Sequence, residues 1–210
     1  MKIAVVGAAG MVGSRVVAEA THRGHDLIAI CRTTRPTTLP PGVSAVEGDA
    51  DDPDRMSTLF SGTDAVVAAT RPTAGHEHLV ARTTTALLEA AATARTRILV
   101  VGGAAPLRIP DHPERLVIDD PNYVPDTIRP IASASVVQLE VCRARPGNWV
   151  YLSPPVILEP GKRTGKYRRG TTTLVTDASG ASRISAEDLA VAVLDELENP
   201  SEERHFTVAH

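Results

Sequence analysis

The stretch Lys2-Ile-Ala-Val-Val-Gly7-Ala-Ala-Gly10-Met-Val-Gly13 decides the fold of this chain. Its apolar run predicts a buried parallel strand, and the three glycines form the turn into an amphipathic helix. Gly7 permits the sharp exit from the strand, Gly10 lets the backbone approach a pyrophosphate, and Gly13 lets helix and strand pack closely. Unpaired amides at the helix N-terminus then attract phosphate. We therefore expect a dinucleotide against Gly7, Ala9, Gly10, Met11, Val12 and Gly13.

The end of the second predicted strand indicates which dinucleotide is preferred. An acidic residue about 20 positions beyond the glycines would hold the ribose hydroxyls of NAD, whereas arginine accommodates the extra phosphate of NADP. Here the strand ends at Arg32, with Arg35 close behind and no carboxylate before Glu47. Two guanidinium groups can bind one phosphate bidentately. We expect NADP(H) to be preferred over NAD(H); the alternative is solvated loop arginines beside an NAD site.

Bulk composition is that of an ordinary globular chain. The 210 residues suit one domain, residues 1–210, and 42% hydrophobic content can fill its core. A net charge of −3 argues against a nucleic-acid partner, and no apolar run is long enough to span a membrane. The glycine turn begins too near Met1 for a cleavable signal peptide. With two distant cysteines, Cys31 and Cys142, we expect a cytoplasmic protein, as a monomer or homodimer.

Strands and helices alternate along the first half of the chain. We expect strands at 2–7, 26–31, 43–47, 64–69 and 97–101, and helices at 11–23, 53–60 and 76–94. A helix at 131–144, strands at 148–152, 171–175 and 204–208 and a helix at 186–198 follow a proline-rich loop. This pattern predicts an α/β fold, a single Rossmann-type doubly wound parallel sheet. Residues 150–185 and 200–210 would form a small C-terminal region over the substrate.

Several motifs together resemble a known family. They are the glycine turn, Val100-Val101-Gly102-Gly103 and Trp149-Val-Tyr-Leu-Ser153-Pro154-Pro155. The tail adds Pro160-Gly-Lys-Arg-Thr164-Gly165 and Ser182-Arg-Ile-Ser-Ala-Glu-Asp188. Over nearly its whole length the chain resembles the atypical short-chain dehydrogenase/reductases. It is most similar to their NAD(P)H-binding, NmrA-like branch, which includes NADH-flavin reductases and biliverdin-IXβ/flavin reductases.

The resemblance implies further cofactor contacts. Asp49, with Ala50 beside it, would bind the adenine amino group. Ala69, Thr70 and Arg71 would contact the central ribose and the pyrophosphate. The nicotinamide end would rest on Gly102, Gly103, Pro154, Pro155 and Val156.

The catalytic Tyr-x-x-x-Lys pair of standard short-chain dehydrogenases is missing from the sequence. Its two slots fall near Ile131 and Ser135, neither of which can donate and stabilise a proton as that pair does. Without a positioned acid, carbonyl reduction loses a factor of roughly 10²–10⁴. A flavin or other conjugated acceptor spreads the charge and needs no obligatory acid. The sequence therefore predicts a reductase of flavin, quinone-like or other conjugated small molecules, with FMN or FAD as possible substrates.

Two other functions stay open on this evidence. One is a non-catalytic NAD(P)H redox sensor of the NmrA type. The other is a biosynthetic epimerase, dehydratase or cyclase, whose acid or base would come from Asp111, His112, Glu114, Asp119 or Asp120. The catalytic residues are unknown, with Ser133 and Ser135 as hydroxyl candidates or mere helix-surface serines. No metal site is expected, since His76 and His78 point in different directions.

A basic loop near the C-terminus has two readings. It contains Lys162, Arg163, Lys166, Arg168 and Arg169. It could steer an anionic acceptor towards the site, or it could be a solvated or subunit-pairing loop.

Overall fold

The computed structural model describes residues 1–32, 40 and 43–210. Over these ranges the strands are β1 Lys2–Val6, β2 Asp26–Cys31, β3 Val43–Glu47, β4 Ala65–Ala68, β5 Arg97–Val101, β6 Arg108–Ile109, β7 His112–Leu116, β8 Trp149–Ser153, β9 Ile157–Glu159, β10 Arg168–Gly170, β11 Arg183–Ser185 and β12 His205–Ala209. The helices are α1 Met11–His22, α2 Pro53–Phe60, α3 Val80–Ala94, α4 Arg129–Arg143 and α5 Ala186–Glu198. Short 3₁₀ turns occupy Glu77–Leu79, Val117–Asp119 and Asp126–Ile128.

The central sheet has the order β10-β12-β8-β5-β4-β1-β2-β3. Its strands are parallel except for the edge strand β10, which is antiparallel to β12. From β1 the chain moves outward through β2 to β3 and then returns to β4 on the other side of β1. The strand order therefore reverses at β1, which opens a crevice at the carboxyl ends of β1 and β4. The predicted doubly wound parallel sheet is confirmed.

Helices cover both faces of this sheet, which explains why its strands are almost continuously apolar. On one face α1 and α5 pack over a core that includes Val16, Leu189 and Phe206. On the other face α2, α3 and α4 pack over a core that includes Met56 and Tyr151. Within the described ranges, no helix is both long and apolar enough to cross a bilayer.

Local signals in the sequence set two helix starts. The Asp52 carboxylate accepts a hydrogen bond of 2.9 Å from the amide of Arg55, and Pro53 occupies the first position of α2. The Ser185 hydroxyl accepts 3.0 Å from the amide of Asp188 at the start of α5. Each of these helices therefore begins at a side chain that caps its first turn.

The expected strand at 171–175 is wrong. The edge strand lies at Arg168–Gly170, where Arg169 pairs with Val208 of β12. The following threonines leave the sheet: the Thr172 carbonyl accepts from the Arg108 amide, and the Leu174 amide donates to the Arg108 carbonyl. The threonine run at 171–173 therefore pairs with Arg108 instead of joining the central sheet. Within that sheet, β12 lies between β10 and β8.

The segment after β5 holds structure where the sequence predicts only a proline-rich loop. The strands β6 and β7 form an antiparallel hairpin, and further along the chain β9 pairs with β11 in a small parallel sheet. These strands have only two to five residues and mix exposed with buried positions. Their hydrophobic pattern is therefore too short to detect.

Candidate functional site

The predicted cofactor residues within the described ranges gather at one edge of the sheet. Each group directly follows the carboxyl end of a parallel strand, and all of these ends lie at the same edge. Their role in binding stays a prediction. The groups are 7–13 after β1, Arg32 after β2, Asp49 and Ala50 after β3, 69–71 after β4, Gly102 and Gly103 after β5, and 154–156 after β8. Arg35 lies outside the described residues.

The glycine turn leaves no room for side chains. Gly7 adopts a φ of +80°, and a Cβ there would lie 2.5 Å from the Ala69 carbonyl oxygen of the neighbouring strand end. A Cβ at Gly13 would overlap the Gly7 carbonyl. A Cβ at Gly10 would stand 3.2 Å from the same oxygen, which is tight but not prohibitive. The turn is therefore packed against both β4 and the start of α1.

The N-terminus of α1 carries unsatisfied donors that fit a pyrophosphate. Gly10 is the N-cap residue and supplies no side-chain cap; its own amide donates to the Gly7 carbonyl at 2.9 Å. The next three amides, of Met11, Val12 and Gly13, have no acceptor one turn earlier in the helix. The positive end of the helix dipole adds to their attraction for an anion. This donor set and the glycine cradle fit the diphosphate of a nicotinamide dinucleotide.

The adenosine end would lie at β2 and β3. Arg32 is exposed directly after Cys31, and Glu47 at the end of β3 is level with Cys31 in the register. The Asp49 carboxylate accepts from the Asp51 amide at 3.1 Å, a turn that fixes its position. The basic Arg32 and the carboxylate of Glu47 therefore both lie at this end of the crevice. The sequence analysis predicts a role in cofactor choice for Arg32 alone.

The nicotinamide end is built from close packing between β5, β8 and α4. A Cβ at Gly102 would overlap the hydroxyl of Tyr151, and a Cβ at Gly103 would lie 2.9 Å from both Cβ and Oγ of Ser135. Pro154 and Pro155 are buried and Val156 is half-buried. The absence of side chains at Gly102 and Gly103 thus lets α4 approach the end of β5.

Among the residues that the structure describes, no Tyr–Lys pair occupies this end. The Ser135 hydroxyl donates to the Ala132 carbonyl at 2.8 Å. The Tyr151 hydroxyl is buried and donates to the Ser135 carbonyl at 2.9 Å, and burial raises the pKa of this phenol far above its usual range. Tyr151 is therefore a structural donor and cannot serve as an acid.

Two arginines of the basic loop form ion pairs with buried glutamates. Arg163 forms a bidentate ion pair of 2.6 and 2.8 Å with the buried Glu19 of α1. Arg169 contacts the buried Glu196 at 2.9 Å and stacks 3.7 Å over the Phe206 ring. These two arginines hold internal partners, so the prediction that Arg169 steers an acceptor is not supported by its geometry.

A buried pair escaped the sequence reading. The Ser153 hydroxyl lies 2.9 Å from Nε2 of His205, and burial lowers the pKa of His205 to about 4. Because Ser153 precedes the predicted nicotinamide contacts, the pair ties that turn to β12. No sequence signal could have found it, since its two members are 52 residues apart.

The acid and base candidates of the epimerase hypothesis make local hydrogen bonds or are exposed. Asp119 accepts from the Leu116 amide at 3.1 Å, and Asp120 accepts from the Asn122 amide at 2.9 Å. Asp111, His112 and Glu114 are exposed on the β6–β7 hairpin.

A cavity of about 230 Å³ lies between α4 and the β6–β7 hairpin. Its walls include Arg108, Leu116, Val136 and Arg143, and none of the predicted cofactor residues lines it. This cavity is therefore separate from the predicted cofactor residues at the strand ends.

Known proteins that are similar in sequence share this fold. A family model described as NAD(P)H-binding matches residues 7–200. YwnB, an uncharacterised protein of Bacillus subtilis, is 36% identical over 99% of this chain and 98% of its own length. A solved structure from Streptococcus pneumoniae, provisionally named an NADH-flavin reductase, is 30% identical with a TM-score of 0.88 over 100% and 99% of the two chains. Another from Bacteroides thetaiotaomicron, provisionally named an epimerase, is 31% identical with a TM-score of 0.90 over 100% and 96%.

Proposed function

Since the chain belongs to the family of NAD(P)H-binding Rossmann proteins, we propose that it is an NADPH-dependent oxidoreductase that reduces a flavin, a quinone or another conjugated acceptor. The observation that carries the proposal is the nicotinamide end of the crevice. There α4 presents Ser135 to Gly103 where a standard short-chain dehydrogenase would need its lysine, and the nearby Tyr151 phenol is buried and occupied.

The residues at the strand ends would bind and orient rather than perform acid–base chemistry. The α1 amides would hold the pyrophosphate, and the backbone of Gly102 and Gly103 would lie under the nicotinamide ribose. Bound NADPH would supply the hydride. Holding the two ring systems in contact is itself a large rate effect, since positioning converts a bimolecular step into a unimolecular one.

The preference for NADPH over NADH rests on Arg32. Its exposed side chain follows β2 directly, and the sequence places Arg35 nearby. Glu47, level with Cys31, is the residue that would favour NADH. We propose that the guanidinium dominates, because it can form charge-assisted hydrogen bonds with a 2′-phosphate.

The cytoplasm is the proposed compartment. Cys31 and Cys142 lie in the cores on opposite faces of the sheet, so they cannot bridge each other. Buried thiols of this kind suit a reducing environment.

The test combines binding with turnover on the purified protein. Calorimetry with NADPH and NADH measures affinity, and loss of NADPH absorbance in the presence of FMN, FAD or a quinone measures reduction. We expect NADPH binding and steady turnover with at least one acceptor. Tight binding without turnover would instead support the redox sensor, and no uptake of either dinucleotide would refute both functions.

A further inference from the structure

The cavity between α4 and the β6–β7 hairpin is lined by none of the predicted cofactor residues, and we call it the hairpin cavity. Its volume of about 230 Å³ sets the size of the molecule that it can enclose. A cavity of about 150 Å³ holds a single benzene ring, whereas drug-sized ligands occupy about 300–1,000 Å³. The hairpin cavity therefore suits a molecule of one ring and one small substituent. It cannot enclose a flavin nucleotide or a dinucleotide.

The inner wall of the hairpin cavity carries apolar side chains. Pro106 and Leu139 are buried there. Leu116 at the end of β7 and Val136 on α4 are half-buried. These four residues offer packing contacts to the body of a ligand.

Charged side chains from two different elements complete the lining. Arg108 belongs to β6 and Arg143 to the last turn of α4, and both are exposed. Glu140, one turn before Arg143, adds one carboxylate. The charges of these three side chains sum to +1 at neutral pH. This balance favours a monoanion over a phosphate monoester, which carries a charge of about −1.5 to −2 at pH 7.

The guanidinium of Arg143 has donors to offer a ligand. Among the described residues it forms neither an ion pair nor a hydrogen bond, although Glu140 is only three residues away. By contrast, Arg145 just beyond α4 pairs with Glu89 at 3.7 Å. Burial, followed by the charge of Arg143, lowers the pKa of His205 on β12. Because this charge reaches a buried ring of the sheet, the guanidinium lies over the sheet and not far out in solvent.

The backbone of Arg108 is fixed on the opposite side of the cavity. Its amide donates to the Thr172 carbonyl at 2.8 Å, and its carbonyl accepts from the Leu174 amide at 2.9 Å. One guanidinium nitrogen donates to the Pro113 carbonyl within the hairpin. Since a guanidinium carries five N–H donors, others remain for a ligand.

We propose that the hairpin cavity is a binding site for a small organic monocarboxylate. The carboxylate group bridges Arg108 and Arg143 through charge-assisted hydrogen bonds. The body of the ligand, about one ring in size, packs against Leu116 and Val136. The site is distinct from the cofactor crevice and does not depend on the proposed reductase function.

Calorimetry with benzoate on the purified protein tests the charge requirement. We expect saturable binding at one site, with an affinity at least tenfold higher than that of benzamide, its neutral counterpart. Arg143→Gln should weaken benzoate binding roughly 10- to 100-fold, as expected for lost hydrogen bonds to a charged group. It should keep the wild-type Tm, because Arg143 has no partner within the described ranges. Arg145→Gln, which removes the same charge outside the cavity, is the matched control and should keep wild-type affinity.

A second pair of variants tests the apolar wall. Val136→Phe places a ring in the cavity and should lower benzoate affinity at least tenfold. Val137→Phe adds the same bulk at the next position of α4, where the side chain is 39% exposed and does not line the cavity. Benzoate affinity should therefore stay at the wild-type value in Val137→Phe, and equal losses in the two variants would overturn the placement of the ligand.

Titration with and without saturating NADPH separates the hairpin cavity from the cofactor crevice. Benzoate affinity should be the same in both cases, whereas competition between the two ligands would place benzoate in the crevice and overturn the proposal. Absence of saturable benzoate binding would also overturn it, as would benzamide binding equally well or full affinity in Arg143→Gln. Each of these results leaves the reductase proposal intact, because that proposal depends on NADPH binding and turnover.

Discussion

The hydroxyl of Tyr151 lies directly beneath Gly102, so that even a methyl group on Gly102 would overlap it. This phenol donates to the Ser135 carbonyl at 2.9 Å and lies 3.2 Å from Oε1 of Gln138. One buried side chain of β8 therefore fastens α4 beneath the end of β5. The relationship explains why the chain places glycine after Val101, and it assigns Tyr151 to structure.

Tyr151→Phe should destabilise the protein without changing the pH dependence of turnover. The substitution leaves a buried carbonyl and the Gln138 amide oxygen without their donor, which costs about 1–3 kcal/mol. Urea unfolding measures this loss, with Tyr123→Phe as the control of matched chemistry that should stay within about 0.5 kcal/mol. A Tyr151→Phe protein of wild-type stability would contradict the structural role.

Gly10→Ala and Gly13→Ala should separate cofactor binding from folding. At Gly10 a Cβ stands 3.2 Å from the Gly7 carbonyl with an ordinary φ of −75°, so the fold should lose no more than about 1 kcal/mol. The methyl group would nevertheless face the diphosphate, and we expect NADPH affinity to fall at least tenfold. At Gly13 the Cβ overlaps the Gly7 backbone, so that variant should unfold or lose several kcal/mol. Wild-type NADPH affinity in Gly10→Ala would refute the diphosphate cradle.

Arg32→Gln should weaken NADPH binding more than NADH binding. Loss of charge-assisted hydrogen bonds worth about 1.5–3 kcal/mol predicts roughly a 10- to 100-fold higher Kd for NADPH and little change for NADH. Arg95→Gln is the matched control, because it removes the same charge. Arg95 follows α3 and precedes β5, at the edge of the sheet opposite the predicted cofactor site. Equal losses for the two dinucleotides would show that Arg32 does not read the 2′-phosphate.

Glu196 should be the most sensitive carboxylate of the C-terminal region. Its side chain is fully buried and lies 2.6 Å from Arg97 and 2.9 Å from Arg169. Glu196→Gln leaves two guanidinium groups short of their counter-charge, which costs about 3–5 kcal/mol, or roughly 6–20 °C in Tm for a chain of this size. Glu198→Gln removes a more exposed carboxylate that pairs with Arg23, and should cost no more than about 1 kcal/mol. Similar Tm values for the two variants would contradict this ranking.

The sequence predicts the elements whose signals are local. The glycine turn, the apolar strands β1 to β5 and the proline start of α2 each follow from residues within one element. The strand expected at 171–175 fails because its threonines pair with Arg108, a contact that periodicity cannot encode. The small hydrophobic cluster that contains Leu107 and Leu174 escapes detection for the same reason, since these two residues come from distant segments. At the site, strand ends are predictable from the chain, whereas the approach of Tyr151 to Gly102 depends on packing between β5 and β8.

Acid should destabilise the protein in two separable steps. Burial, with help from the charge of Arg143, lowers the pKa of His205 from its ordinary 6.5 to about 4. Hydrogen bonds from Arg163, followed by those from Arg23, lower the pKa of Glu19 from 4.5 to about 2. In both cases the unfolded chain binds a proton at a higher pH than the native protein, so stability falls as pH decreases. The His205 contribution is lost between about pH 6.5 and 4, and that of Glu19 between about pH 4.5 and 2.

Urea midpoints measured from pH 7 to pH 3 test the two steps with one variant each. Either shift corresponds to about 3 kcal/mol at most, and less for Glu19 because its partner Arg163 is 45% exposed. His205→Gln keeps a polar atom near Ser153 but cannot titrate, so it should abolish the slope between pH 6.5 and 4 and retain the loss at lower pH. Glu19→Gln should show the reverse pattern from a lower starting stability. If both variants kept the full wild-type slope, other groups would control the acid transition.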